Sequence, residues 1–462
     1  MSLVLEQIHT PGIAQLSYLV GDDAAKIGAV IDPRRDVDIY VERALSRGLR
    51  IAYAIETHIH ADFVSGVHEL AARTGARILA GESPDYTFDF RPLRDGDRID
   101  IGTFDLRAIH TPGHTPEHVS LALGDGSSKG ESFAVFTGDT LLNKTVGRPD
   151  LIGPEVEEGL ARELYHSIFS RLLPLGDFVE LLPGHTAGSA CGHSIGDRRT
   201  STLGSERRSN PSLRFAKEPD FVRDLLGGLP EPPGYYARLK KLNTKGAHVR
   251  GSPTDPEPLT AGEFRERTGQ SDALILDIRS MLAFGGGHLP GALHIGLAEH
   301  FPMWVGWMVD PGVRLFLVAD SVPDVRTAVE HLFRLGYDAD VAFLHPGMKE
   351  WQDSGLPLQS IDEWTVHELD RRRGDPDVIV LDVRSDGEWK EGRVPGARHV
   401  FLPHLGEHLN ELDRDKEVVT YCGTGYRASI AASVLQRNGF ERVATVPGSM
   451  AAWKAAGLPI AR

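Results

Sequence analysis

The chain has 462 residues, 41% hydrophobic and 25% charged, which is room for about three domains at roughly 150 residues each, with cores of ordinary composition. Acidic residues outnumber basic ones 65 to 50, a formal net charge of −15, and that balance argues against nucleic acid or an anionic membrane surface as partner. No run of about 18 apolar residues is present to span a bilayer, and the opening MSLVLEQIHTPG has neither the basic start nor the long apolar core of a secretory signal.

In chain order, residues 1 to about 200 alternate short apolar runs (QLSYLVG, AVIDP, IAYAIETH, FAVFTGD, FVELLPGH) with glycine turns and helix-like stretches such as VDIYVERALSRG. Several runs end at His or Asp, which places those side chains on loops at one rim of the strands. They are His58, His60 and Asp62 in ETHIHADF, His114 in TPGHTPEH, Asp139 in FTGDT and His185 in LPGHTAG. Imidazoles and carboxylates gathered in this way are metal-ligating groups. The two cysteines, Cys191 and Cys422, are too few for a disulfide framework and suit a reducing cytoplasm, so each thiol needs its own explanation. Cys191 follows His185 by six residues in HTAGSACGHS, close to the expected metal pocket.

Residues 206–255, with the turn LPEPPG before YYARLKKLN, read as an extension and linker. The remainder is an internal repeat. ALILDIRSMLAFGGGHLPGALHI matches VIVLDVRSDGEWKEGRVPGARHV, with Asp382 and Gly396 each 105 residues beyond Asp277 and Gly291. A second block, HPGMKEWQDSGLPL, pairs with VPGSMAAWKAAGLPI. The spacing predicts two small α/β units, 256–358 and 359–462. In the second, VVTYCGTGYRAS delivers Cys422 from a strand into the loop Gly423, Thr424, Gly425, Tyr426 at the start of a helix. Backbone N–H groups, the helix terminus and Arg427 there stabilise a thiolate. In the first, LFLVADSVPDVRTA sets Ala319-Asp320 opposite Tyr421-Cys422, so Asp320 is expected where the thiol would be.

The pattern HxHxD…GH…GD…GH over residues 1–205 resembles the metallo-β-lactamase fold, an αββα sandwich, and its glyoxalase II branch most closely. That branch reads HxHxDH, and Phe63 here occupies the place of the last His. Loss of that imidazole leaves His58, His114 and Asp139 as a 2-His-1-carboxylate face, which suits non-haem Fe(II), although zinc takes the same ligands. His60, Asp62, Phe63 and His185 then orient ligands or face substrate. The branch with this departure is the persulfide dioxygenase family, and VGRPDL, with Arg148 and Asp150, is similar to one of its elements. Arg148 there orients its loop, neutralises an anionic substrate, or makes a plain loop salt bridge. Cys191 is either a substrate-side thiol or a structural one.

The C-x-x-G-x-R loop resembles the rhodanese active loop, which implies Cys422 as the carrier of sulfane sulfur and an inactive first copy. The whole order is similar to bacterial persulfide dioxygenase–rhodanese fusions. That resemblance implies one Fe(II) per chain, with persulfide, oxygen, sulfite and thiosulfate as reactants, in a cytoplasmic homodimer. The carrier thiol and the direction of sulfur flow stay open. The alternatives are a two-metal thioester hydrolase like glyoxalase II and a non-enzymatic sulfur carrier.

Overall fold

A computed structural model describes residues 2–126 and 131–462. The chain divides into two compact units, Met1–Pro253 with Phe333–Gly336, and Thr254–Leu332 with Tyr337–Arg462.

The first unit is built on two six-stranded sheets. In one, Leu3–Thr10, Gln15–Asp22, Ile27–Ile31, Arg50–Ile55, Arg77–Gly81 and Arg91–Leu93 lie side by side in chain order. In the other the order is Ser201–Thr202, Glu180–Pro183, Ser132–Gly138, Val119–Asp125, Phe104–His110, Arg98–Ile101. Leu16, Tyr18, Val20, Leu106, Leu121 and Phe136 fill the space between the sheets. Tyr40, Ala44, Val67 and Leu70, from the helices Asp38–Ser46 and Val67–Thr74, cover one outer face. Ala161 and Leu164 of the helix Glu157–His166 cover the other. The layering is αββα, and burial on both faces explains why a central strand such as Gln15–Asp22 is buried along its whole length.

Two parallel pairings set the functional rim. Ile27–Ile31 runs parallel to Arg50–Ile55, and Ser132–Gly138 runs parallel to Glu180–Pro183. Parallel strands end on the same edge. Their C-terminal ends therefore release Asp32, Thr57–Asp62, Asp139 and His185 at one rim of the sandwich.

The expected extension at 206–255 is folded into this unit, past the boundary expected at 205. Phe221 and Val222 of the helix Glu218–Gly227 share a core with Leu164. The polar stretch before it is also structured, because Glu206 is buried and accepts from Asn143 Nδ2 at 2.8 Å and the Lys144 amide at 2.9 Å. A buried carboxylate with satisfied partners looks like solvated linker in a sequence.

The second unit holds two five-stranded parallel sheets with the same strand order. The first copy runs Glu257–Leu259, Ala342–Leu344, Arg314–Val318, Ala273–Asp277, Leu293–His294. The second runs Asp362–Glu363, Val443–Thr445, Glu417–Tyr421, Val378–Asp382, Arg398–His399. The repeated D-x-R has one role in both copies. Arg279 and Arg384 fold back on Asp277 and Asp382 at 2.6 Å, and each also donates to a loop carbonyl, of Gly287 or Gly392.

Sheet register corrects one expectation. Asp277 pairs with Val318, and Asp382 pairs with Tyr421. Val318 is thus the equivalent of Tyr421, and Ala319, not Asp320, stands where Cys422 does. The loop before the next helix is one residue shorter in the first copy, 319–321 against 422–425. An alignment of two short loops does not reveal that shift, whereas hydrogen-bonded pairing does.

Candidate metal centre and thiol loop

His58, His114 and Asp139 converge, all buried, with ligand atoms within 4.8 Å of one another. Asp139 Oδ2 lies 3.8 Å from His58 Nε2 and 3.6 Å from His114 Nε2. Ligands about 2.1 Å from a single ion sit roughly 3 to 3.5 Å apart, so a small contraction would close this set around a metal.

The hydrogen bonds behind the ligands fix which nitrogen faces inward. Thr57 Oγ1 donates its proton to Asp32 Oδ2 at 2.8 Å, so at 2.9 Å from His58 Nδ1 it can only accept. His114 Nδ1–H donates to the Arg148 carbonyl at 2.8 Å. Both Nε2 lone pairs therefore point at Asp139. Burial, reinforced by neighbouring imidazoles, holds His58 well below the usual histidine range, and burial also lowers His114. Both rings are neutral and ready to ligate. Burial would raise the Asp139 carboxyl, but the charge and hydrogen bond of His185 outweigh it and keep the group ionised. Close packing at the rim demands glycine, since a Cβ on Gly147 would stand 1.9 Å from the Asp139 carbonyl and 3.0 Å from His114 Nδ1.

The other expected residues surround this set. His185 bridges two carboxylates, with Nδ1 2.8 Å from Asp139 Oδ1 and Nε2 2.9 Å from Asp62 Oδ2. Burial opposes its charge, yet Asp139 and Asp62 raise its pKa well above the ordinary value, so it is an imidazolium at neutral pH. His60 reaches Asp32 at 3.2 Å and lies against Phe63, ring centroids 4.4 Å apart. The Phe63 ring is fully buried, and no imidazole is available there to complete a second metal site. Asp62, His185 and Cys191 do form a second group with ligand atoms within 4.8 Å. A cation there would have to displace the His185 proton and a Cys191 thiol whose pKa is pushed up by burial and by Asp62 and Asp139. The His58–His114–Asp139 set, with both imidazoles neutral and the carboxylate ionised, needs no such displacement. Cys191 itself is buried beside the Tyr236 hydroxyl at 3.9 Å.

Arg148 ties its own loop to two distant segments of the chain. Its guanidinium is buried, pairs with Asp150 at 2.7 Å and donates to the carbonyls of Ala190 and Pro230.

Sequence reading missed Asp32, Thr57, His118 and Asn243. Asp32 takes a positive φ of 51° and receives the Thr57 amide at 2.7 Å as well as its hydroxyl. The AVIDP run gave the only signal for it, an Asp at a strand end. His118 stacks on His58 at 5.1 Å and accepts the Asp139 amide at 3.1 Å. Asn243 donates at 2.8 Å to both the His60 and the Phe63 carbonyls and accepts from the Ser65 amide at 3.0 Å, pinning the ligand loop.

At the second centre, Cys422 is buried at the end of Glu417–Tyr421. The carbonyls of Cys422, Gly423 and Thr424 accept from the amides of Met450, Ala451 and Gly448. In a trans peptide C=O and N–H point opposite ways, so these anchors turn the loop amides toward the thiol. The Gly425 amide reaches Cys422 Sγ at 3.1 Å. Ser449, held at φ 42°, accepts the Cys422 amide at 3.1 Å. Arg427 is clamped by Glu388, at 2.6 and 2.7 Å. Burial opposes the Glu388 charge, but Arg427 brings its pKa down to about 2. Among the described residues no helix is long and apolar enough to cross a membrane.

Known proteins resemble both units of the chain. Residues 10–186 match the metallo-beta-lactamase superfamily profile, and residues 260–354 and 365–456 each match the rhodanese-like domain. The mitochondrial persulfide dioxygenase ETHE1 of Bos taurus is 32% identical over 242 residues, 50% of this chain and 84% of the relative. That of Homo sapiens is 32% identical over 236 residues, 50% of this chain and 83% of the relative. The crystal structure of a metallo-beta-lactamase from Staphylococcus aureus subsp. aureus COL is 33% identical, with a TM-score of 0.68 over 74% of this chain and 99% of that one. The chain thus belongs to the metallo-beta-lactamase superfamily, as a homologue of the persulfide dioxygenases that carries two rhodanese-like domains.

Proposed function

We propose that this chain is a single-metal persulfide dioxygenase whose sulfur chemistry is coupled to a thiosulfate sulfurtransferase in its last domain. The observation that carries the reading is the convergence of two neutral imidazoles, His58 and His114, on the Asp139 carboxylate. Fe(II) bound there would supply the redox chemistry that oxidation of a sulfane sulfur by dioxygen requires. The protein's part is positioning. Thr57 and the Arg148 carbonyl hold the imidazole tautomers, and His185 turns the Asp139 carboxylate inward. Phe63 supplies no imidazole for a second metal, its buried ring packing on His60 at 4.4 Å instead, and that disfavours the two-metal hydrolase alternative.

The reaction balances as RSSH + O2 + H2O → RSH + SO3²⁻ + 2 H⁺, with the sulfane sulfur oxidised and dioxygen reduced. The Cys422 thiolate then carries sulfane sulfur as a persulfide. Attack of sulfite on its terminal sulfur breaks the S–S bond, returns the thiolate and gives thiosulfate; the reverse feeds persulfide toward the metal. Glutathione persulfide is the proposed carrier form. Ala319 supports assigning the first rhodanese-like copy, 256–358, as inactive and the second, 359–462, as active. Both cysteines are unpaired, which supports a reducing compartment, the cytoplasm.

The test is the product split in Cys422→Ser. Oxygen uptake should persist and sulfite should replace thiosulfate as the end product. An unchanged thiosulfate yield would remove Cys422 from the scheme.

A further inference from the structure

Within the second unit the two repeat copies face one another across a cavity of about 420 Å³. Met281, Leu297, Asp320 and Asp324 line it from the first copy, and Thr424 and Tyr426 from the Cys422 loop of the second. Contact with that loop is intimate. A Cβ on Gly425 would stand 3.0 Å from the Met281 sulfur, and the Tyr426 hydroxyl donates to the Gly296 carbonyl at 2.7 Å. The copy without a thiol thus forms a wall beside the copy that has one.

The wall has a definite charge. Its basic residue, Arg279, is buried and engaged by Asp277 and the Gly287 carbonyl. Arg427 of the thiol loop is likewise held by Glu388. Asp324 receives the Ser321 hydroxyl at 2.6 Å at the start of its helix, while Asp320 is exposed on the cavity. Two carboxylates therefore face the space without a free cation among the lining residues. The volume falls in the small-molecule range of about 300 to 1,000 Å³ and exceeds what sulfite or sulfide needs.

We propose that this cavity binds the organic thiol that exchanges sulfur with Cys422 and selects thiols bearing an ammonium group. The carboxylates attract the ammonium, and Met281 and Leu297 receive the aliphatic part. The proposal rests on reading Cys422 as the sulfur-transfer nucleophile. In the loading direction the Cys422 thiolate attacks the outer sulfur of RSSH. A Cys422 S–S bond forms, the RS–S bond breaks, and RS⁻ leaves with the electron pair; nothing is oxidised overall. The cavity holds the R group through that exchange.

The test uses the full-length chain with thiosulfate as donor and three acceptors: cysteamine, 2-mercaptoethanol and 3-mercaptopropionate. Intrinsic differences between the thiols cancel when one protein is compared with another. In Asp320→Asn the ratio of kcat/KM for cysteamine over 3-mercaptopropionate should fall roughly tenfold, because the exposed one of the wall's two carboxylates is neutralised. Asp320→Lys should lower it further, and added salt should compress the ratio of the parent. A ratio unchanged within twofold in both variants overturns the proposal. If the parent transfers sulfur to none of the three and matches Cys422→Ser, the reading of Cys422 fails and the cavity proposal falls with it.

Discussion

Asn243→Ala should weaken the first unit and empty its metal site together. The Asn243 side chain is buried and makes three hydrogen bonds to the backbone of the ligand loop, to His60, Phe63 and Ser65. Truncation leaves two carbonyls and one amide without partners. At about 1 to 3 kcal/mol for each stranded buried group, partly relieved by entering water, the loss is about 3 to 5 kcal/mol. That is a large share of the stability of an ordinary domain. For a unit of this size, with a urea m-value of about 3 kcal/mol/M, the midpoint should drop by about 1 to 1.7 M. The chain offers a convenient separation of signals, because all six tryptophans lie between Trp304 and Trp453. Tryptophan fluorescence follows the second unit, and circular dichroism follows both. The transition seen only by circular dichroism should move, and the metal bound per chain should fall in the same preparation. A shift of that transition below about 0.3 M with full metal content would refute the assignment of Asn243 as the clamp of the ligand loop.

Thr57→Val removes the hydroxyl that accepts from His58 Nδ1 and should weaken metal binding by about 10- to 100-fold; chelator competition reads it, and Thr57→Ser should restore affinity. Glu388→Gln tests the clamp on Arg427. Glu388 is depressed to about 2 in the folded state, so its contribution is present above the unfolded carboxyl value near 4.3 and is lost as pH falls toward 2. The parent should exceed the variant at pH 7 by no more than about 1 kcal/mol, since the pair is partly exposed to solvent. The gap should narrow between pH 5 and 3, followed by tryptophan fluorescence; a gap that widens on acidification would contradict the assignment.

The candidate ligands were legible because metal chemistry leaves a pattern in local sequence: His and Asp at strand ends beside glycine. Their supports were not legible. Asn243 reaches the Phe63 carbonyl across 180 residues, and Asp32 meets Thr57 across 25, so only the fold brings them together. The repeat revealed two like domains, but the choice between Ala319 and Asp320 depended on sheet pairing. The repeated PG block was visible as a motif. Its role, presenting the amides that anchor the Cys422 loop, required the helix that follows it to be placed. Arg148 was legible as a residue beside the site, whereas its partners were only partly so: Asp150 is two residues away, but the Ala190 and Pro230 carbonyls lie 42 and 82 residues on.

The measurement that tests the central claim most directly is oxygen consumption by the iron-loaded chain supplied with glutathione persulfide, with sulfite and thiosulfate quantified in the same sample. The account predicts one dioxygen consumed for each sulfur atom oxidised, with part of the sulfite recovered as thiosulfate. A chain shown to contain iron at the His58–His114–Asp139 site that consumes no oxygen, yet hydrolyses a glutathione thioester, would contradict it.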